Sequence, residues 1–599
     1  YYVIAQDIAL IPNISSNPAG VVATDVNTII THPTTPNTIT VAATIGGTYT
    51  VGIGGDYATL TAAAAAYNIG CLTGPVEFSL IDATYPSETF PITFNHINSN
   101  SSTPLTIKPA PGVNATISGS STSGLIVLNG GDYITINGSN SNTLNSVCPM
   151  VSASRNLTLM NTSATTTSAV IWLQTTATLN SATFNNIINC NIEGQANTTT
   201  LFGIGSGSST ISTTSLGTGN NNNAFVNNNI KKTQFGIYSQ GASLANKNQN
   251  NVINQNLINT ASSDNVAKGG IQLGFENNAM VLANNVSNIA LTSSPDIFGI
   301  ALGLTTISGT AFTGNEVTNT TVSKNMVGVI SNTGTFSSCG ITVASATSGT
   351  NIIDNNIVSG VFANGTSGDF AAGIFLGGGV GSTTKVYYNT VQLSGTGTGG
   401  TQNNVALAIG GVTPIVDIKN NILGSIGNNG TGNNYAIGLA YTSTVGNYAN
   451  LTSDYNNFFF APGGGSLSGI GVVGALATGG TQKLTLASWQ AETGRDLNSI
   501  NVTPLFVSSS NLHLVMDPAN ACLNQTATPI PGFPVDIDCA TRSTTNPDIG
   551  SDEFNGTDIT IAVTETSGTP NNKTICIGAS ATITTTGGIS HKWSTGAVT

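Results

Sequence analysis

The chain has 599 residues, a formal net charge of −12 and only 7% charged residues. That balance, with no basic patch, argues against nucleic acid as a partner, and no apolar run approaches the roughly 18 residues of a membrane helix. Seventy glycines among abundant Thr, Val and Asn disfavour long helices. A single compact core of this length is not expected, whereas a solenoid buries each repeat only against its neighbours.

The chain opens YYVIAQDIAL, with neither Met nor a charged-then-apolar leader, and so reads as mature, processed or cut from something longer. Residues 1–43 read as a lead-in strand or the tail of a preceding module. Next, GGTYTVGIGGDYATLTAAAAAYN (46–68) pairs a Gly-Gly-Asp turn with a short alanine-rich helix, suited to closing one end of a solenoid, which must cover its exposed core and strand edges. Strands VEFSLI, LTIKP and YITINGSN follow, with Glu88 in DATYPSETF (82–90) expected to serve a turn or cap.

From residue 187 a pattern repeats: IINCNI, FVNNNI, VINQNL, VLANNV, TVSKNM, IIDNNI, KVYYNT, DIKNNI and the degenerate SDYNNF. Aligning them sets Asn191, Asn229, Asn256, Asn285, Asn325, Asn356, Asn389, Asn421 and Asn457 in phase, at a mean spacing of about 33 residues, as in solenoids. Between these lie Gly-Ile strands: Gly203-Ile204, Gly236-Ile237, Gly270-Ile271, Gly299-Ile300, Gly340-Ile341 and Gly373-Ile374. Each repeat reads as strand, loop, strand, Asn bend, strand. Asn tolerates left-handed backbone angles, and coils stacked about 4.8 Å apart allow a ladder of amides at equivalent corners. About 15 coils, a rod of about 70 Å, are expected.

The GIxL…IxxNxI repeat resembles that of right-handed parallel β-helix proteins, the pectin-lyase-like superfamily, over roughly 44–556. The fold class implied is all-β, a right-handed parallel β-helix with a short N-terminal capping helix. The resemblance says little about activity, since enzymes, adhesins and passive stalks share this fold.

Toward the C-terminus, LTLASWQAETGRDLNSI (484–500) reads as a short amphipathic helix burying Leu486 and Trp489. The segment after it, closing in R…PDIG…E, resembles the end cap of secreted β-helix proteins, which implies a structural terminus built on Arg542, Asp548 and Glu553. Beyond 558, CIGASATITTTGG and HKWSTGA resemble an Ig-like repeat of the large surface adhesins of gliding, type IX-secreting bacteria. The domains expected are thus 1–43, the β-helix at 44–558, and the incomplete start of an Ig-like β-sandwich at 559–599.

Seven cysteines stand at 71, 148, 190, 339, 522, 539 and 576. Cys522 and Cys539 enclose a short loop rich in Pro and Asp and form the expected disulfide, leaving the odd Cys576 near the end. No CxxC pair suggests zinc. Together these features point to an exported, extracellular or cell-surface protein. No cofactor is expected; calcium at Asp517, Asp536 and Asp538 is a secondary reading without a regular Asp-x-Asp-x-Asp-Gly loop.

Catalytic phrases are missing: there is no adjacent Asp pair for acid/base hydrolysis, and Arg155 is the only Arg before 495. The best polar cluster is Asp354, Lys385, Asp417 and Lys419. Lys385 and Asp417 should stack on adjacent coils, with Asp354 outward beside them, as a site or as an ion-pair ladder of small energetic value. Tyr387, Tyr388 and Phe458 to Phe460 offer platforms for sugar rings, although Phe458 to Phe460 are expected to include core residues. The expected function is a non-catalytic adhesin or stalk whose Thr/Ser/Asn surface makes weak multivalent contacts with glycans or other surfaces. Other domains of the same long chain would be its further partners, with no nucleic acid and no membrane insertion. A polysaccharide lyase or hydrolase is the alternative, and a structural filament subunit a third reading.

Overall fold

The computed structural model describes all residues except 1, 9–13, 22, 24, 31–32, 38–41, 142, 177–179, 304–306, 308–314, 379–380, 412–413, 443–447, 555–559, 566–580 and 587–599. Three long sheets run side by side, and each coil gives one strand to each. In one coil Thr350–Asp354 lies in the first sheet, Ile357–Ala363 in the second and Ala371–Gly378 in the third. Every one pairs in parallel with its equivalents one coil before and after. The architecture is that of a parallel β-helix.

The first sheet has 13 strands, from Thr44–Val51 to Leu451–Asp454, and the second has 11, from Ala115–Gly119 to Asn457–Phe460. The third has 13 and ends on the antiparallel strand Thr481–Lys483. Twelve intervals of about 4.8 Å make a rod of about 58 Å, shorter than the 15 coils expected from sequence, because several loops are long excursions that add no coil.

Chemistry selects the columns. Ile126, Ile171, Ile204, Ile237, Ile271, Ile300, Ile341, Ile374, Leu407 and Ile437 stand in consecutive register and are buried in the central core. The glycine before each repeat isoleucine is steric: a Cβ on Gly203, Gly236, Gly270, Gly299, Gly340 or Gly373 would sit 2.5–2.7 Å from a carbonyl oxygen of the next coil.

The Asn corner needs a change of phase. The left-handed residue is the one before the ladder: Asn189, Asn227, Gln255, Ala283, Lys324, Asn355, Tyr388, Asn420 and Tyr455, with φ between 52° and 61°. The rungs are Asn228, Asn256, Asn284, Asn325, Asn356, Asn389, Asn421 and Asn456, preceded by Cys190. Each rung Oδ1 accepts the main-chain N–H of the preceding rung at 2.9–3.0 Å. Each Nδ2 donates to a carbonyl of the preceding coil at 2.8–3.1 Å. Asn191, Asn229, Asn285 and Asn457 are therefore not rungs. They lie at the starts of strands of the second sheet, Asn191 second and the others first, in register with Leu257, Met326, Ile357, Thr390 and Ile422. In doublets such as Asn284-Asn285 both asparagines fit the apolar spacing, and only the hydrogen bonds separate them.

Helix α1 (Leu60–Ile69) packs Leu60, Ala63, Ala64 and Tyr67 into the first coils, with Tyr67 edge-on to Phe78 and Phe94. Glu88 holds its N-terminus, accepting the N–H groups of Leu60 and Thr61 at 2.6 and 2.7 Å. At the other end, helix α2 (Leu486–Thr493) opens on a Thr485/Ser488 capping box and lays fully buried Trp489 against Gly471. Beyond residue 554 the described residues form one antiparallel pair, Thr560–Glu565 with Ala581–Thr586; Cys576 and Trp593 lie outside the described residues. Near the start, Val3–Gln6 pairs antiparallel with Ile14–Asn17.

Candidate functional site

The segment expected to close the end of the rod does something else. After α2 the chain doubles back as a strap, residues 500–554, along the corner between the first and second sheets. Val502 exchanges hydrogen bonds with Asn457, Thr528 with Asn420 at 2.7 and 3.0 Å, and Val535 O accepts from Asn355. The strap thus lies against successive left-handed corners. Its underside is apolar: Leu514, Leu523, Ala527 and Ile549 pack on Tyr388, Ile422 and Phe459, and Leu512 and Ile537 on Ile357.

Arg542 is the central anchor. It is 3% exposed, stacks over Tyr388, and donates to Asn355 Oδ1, Gly550 O and Glu553 Oε2 at 2.8, 2.9 and 3.0 Å. Asp548 accepts the N–H groups of Gln525 and Phe554, and burial pushes its carboxyl up to about 7. The three residues Arg542, Asp548 and Glu553 thus tie the strap to itself and to the corner.

The disulfide is Cys148–Cys539, spanning 391 residues of sequence, and Cys522 is a free, exposed thiol. The Cys522–Cys539 expectation fails because the chain between them is no hairpin: it is laid out along the corners at Asn420, Tyr388 and Asn355. Cys148 belongs to a loop, residues 138–156, that covers the same corner closer to the N-terminus. There Gln255 Nε2 donates to Ser146 O and Val151 O at 2.7 and 3.2 Å, and Arg155 Nε to Asn227 O at 2.7 Å. Loop and strap meet end to end at the disulfide.

The proposed calcium ligands do not converge. Asp536 accepts three main-chain N–H groups, of Asp538, Ala540 and Glu553. Asp517 caps a 3-10 turn, and Asp538 lies 3.0 Å from His513 Nε2, the contact that raises the imidazole's proton affinity. Among the described residues no group of three or more His, Cys, Asp or Glu is arranged to hold a metal ion.

Two grooves flank the Pro-rich stretch 529–534 of the strap, on the outward columns of the first sheet. One of about 440 Å³ includes Lys324, Ile352, Asp354, Lys385 and Phe533; the other, of about 560 Å³, includes Lys419, Asp454, Arg495 and Ile530. Lys385 and Asp417 are in register on adjacent coils, but the ion pair is Lys419–Asp417 at 3.1 Å, and Tyr387 donates its hydroxyl to Asp417 as well. Asp354 is not an outward, solvated side chain. It is 5% exposed and accepts from Ser323 Oγ and Asn355 Nδ2 at 2.8 and 2.7 Å, and burial raises its carboxyl to about 6. Lys324 Nζ is buried without a hydrogen-bond partner, and desolvation lowers its proton affinity.

Tyr387 and Tyr388 are not exposed platforms, whereas the core placement expected within Phe458 to Phe460 holds for Phe458 and Phe459. Tyr387, Tyr388, Phe458 and Phe459 are all at most 4% exposed, covered by the strap or turned into the core; Phe533 packs edge-on to Tyr387 at 5.4 Å. A larger groove of about 900 Å³ lies beside α1, bordered by Ile69, Cys71, Leu72 and His96. His96 is engaged at both ring nitrogens, with Gly70 O and the Asn98 N–H. Sequence reading missed the strap's role; apolar Met326, Ile357 and Ile422 in an outward column that elsewhere holds Asn229, Leu257 and Asn285 were its available, uneven signal. No helix among the described residues is long and apolar enough to cross a membrane. No protein-family model matches the chain, and no curated protein matches it.

Proposed function

We propose that the chain is a non-catalytic, extracellular or cell-surface module: a right-handed β-helical rod whose Thr/Ser/Asn surface and strap-side grooves make weak, multivalent contacts with glycans or other surfaces. In this reading α1 closes the N-terminal end, and residues 559–599 begin an Ig-like domain of a longer adhesin exported by a type IX system. The observation that carries the reading is the state of the carboxylates along the grooves. Asp354 is held by Ser323 and Asn355, Asp417 by Tyr387 and Lys419, and Asp454 by Tyr455 N–H and by the main-chain N–H and Nδ2 of Asn498. Each is engaged by partners in the scaffold, which supports a binding role along these grooves over acid/base work on a bound sugar. A disulfide between distant segments fits an oxidising compartment. The test is to incubate the purified chain with pectin, alginate, chondroitin and neutral glycans while measuring both retention on immobilised polymer and product release. Retention without new reducing ends or unsaturated sugars is expected; release of either product would replace this reading with a polysaccharide-degrading enzyme.

A further inference from the structure

The two segments joined by the disulfide leave the rod at opposite ends. The loop carrying Cys148 departs between Ile134–Asn137 and Leu157–Asn161, near the start of the stack. The strap carrying Cys539 departs after Asn457–Phe460, the last strand of the second sheet. Two covalent routes therefore connect residues 148 and 539. One runs through 391 residues and the coils of the rod; the other is a single S–S bond.

This matters for a rod under tension. Inter-coil hydrogen bonds in stacked parallel sheets lie along the stacking axis, and each coil contacts only its neighbours. A pull on the ends of an unbridged stack therefore loads the outermost coil alone, and coils peel off in turn. We propose that the Cys148–Cys539 bridge routes tension around the stack, so that a pull between any residue before 148 and any after 539 bypasses residues 149–538. The coils between Cys148 and Cys539 then stay folded under tension, while the first coils, with strands Thr44–Val51, Cys71–Leu80, Leu105–Pro109 and Ile134–Asn137, lie before the bridge and remain extensible. This function stands whether or not the grooves bind a ligand.

Both attachment points are built to take such a pull. On the loop side, Gln255 holds Ser146 and Val151, and Asn227 Nδ2 donates to Ala153 O at 2.8 Å. On the strap side, Asp536 fastens the turn around Cys539 through the N–H groups of Asp538 and Ala540. Beyond the bridge, Arg542 and the Ser551 contacts to Thr390 pin the rest of the strap. Peeling that stretch back to Cys539 frees only a short tail before the bridge stops it.

The experiment is single-molecule stretching of the full chain between handles at its two ends, oxidised and then with dithiothreitol. An extended chain spans at most about 3.3–3.6 Å per residue, so the bridged 391 residues hold about 130–140 nm. The oxidised chain is expected to stop that far short of the reduced one, with unfolding steps from inside the bridge seen only after reduction. Cys522→Ser should keep the short length, and Cys148→Ser should reach the long one without reductant. A deficit of only about 6 nm, the roughly 17 residues from Cys522 to Cys539 at the same rise, would overturn the proposal. So would an oxidised wild-type chain that reaches full length, a readout that does not depend on any variant folding.

Discussion

Arg542 stacks on Tyr388, with its guanidinium carbon 4.2 Å from the ring centre, although one belongs to the strap and the other to a corner of the rod. The same guanidinium satisfies Asn355 and Glu553, so one side chain joins two coils to the strap. Truncating it leaves the half-buried Glu553 without its cation and uncovers an aromatic face. Arg542→Ala is expected to weaken strap docking by about 3–4 kcal/mol. Limited proteolysis should then cut within 528–556 roughly 100-fold faster or more, while the circular-dichroism melt of the rod changes little. Arg542→Lys keeps the charge but not the planar fork and should fall between. Unchanged cleavage in both variants would show that the strap docks without this contact.

The phase of the Asn ladder is open to a test at one doublet. Asn284 accepts from Asn256 N–H and Nδ2 at 3.0 and 2.9 Å and donates to Ile253 O at 3.0 Å. Asn284→Ala strands several buried polar groups and should cost about 2–4 kcal/mol. Asn285→Ala, one residue later on the outward face, should cost less than about 1 kcal/mol. Equal losses in chemical denaturation would put the ladder out of phase with the corner.

At the preceding position Ala283 holds φ at 52°, a conformation that strains a side chain with a Cβ. Ala283→Gly should therefore raise stability by about 0.5–1 kcal/mol despite the entropy of a freer unfolded chain. A denaturation midpoint that falls in this variant would mean that the Cβ packs usefully.

Much of the rod was legible because its columns repeat. Ile204 to Ile437 recur with a glycine or small residue before them, and that spacing alone defines a core column. The corner was legible as a place but not in phase, since the residue that adopts left-handed angles is Asn at four copies and Gln, Ala, Lys or Tyr at the others. Neighbours along the stack, not local preference, fix that backbone. The strap was not legible because its partners are far apart in sequence: Asn355 with Val535, Asn420 with Thr528, Cys148 with Cys539. A short cysteine spacing pointed to Cys522 for the same reason, since proximity in sequence substitutes poorly for a segment folded back along a rod.

Glu276 gives the rod a pH dependence with a definite sign. It is completely buried, accepts from Ser239, Asn248 and Asn251, and burial pushes it up to about 7. The folded chain thus binds this proton more tightly than the unfolded chain, whose carboxyl titrates near 4.5. Stability is greatest below about pH 4.5, falls as pH rises through the interval to about 7, and levels off above it, a loss of roughly 3 kcal/mol from this group. Asp354 and Asp296, both raised to about 6, act in the same direction. Denaturation midpoints should therefore fall from pH 5 to pH 8, and Glu276→Gln should flatten the decline. A midpoint that rises over that interval would mean that the donors around Glu276 hold it as an anion.

At the C-terminal end, Trp489 and Asp496 couple the closing helix to the last coil. Trp489 Nε1 donates to Asp496 Oδ2 at 2.8 Å, while Asp496 Oδ1 accepts from Ser453, Ser499 and Asn456. Desolvation already raises this carboxyl despite those donors. Trp489→Phe keeps most of the packing on Gly471 but removes the one donor to Oδ2 among the described residues, at a cost of about 1–3 kcal/mol. Because the lost bond favoured the anion, the carboxyl should rise further, so the penalty is small where Asp496 is protonated and grows as pH rises. Hydrogen exchange of the strands Leu451–Asp454 and Asn457–Phe460 should then quicken more at pH 8 than at pH 5. Gly471→Ala provides the steric counterpart, since its Cβ would meet the indole at 2.4 Å, and its penalty should not vary with pH. Equal pH slopes in the two variants would remove Asp496 from the account and leave packing alone to hold the helix in place.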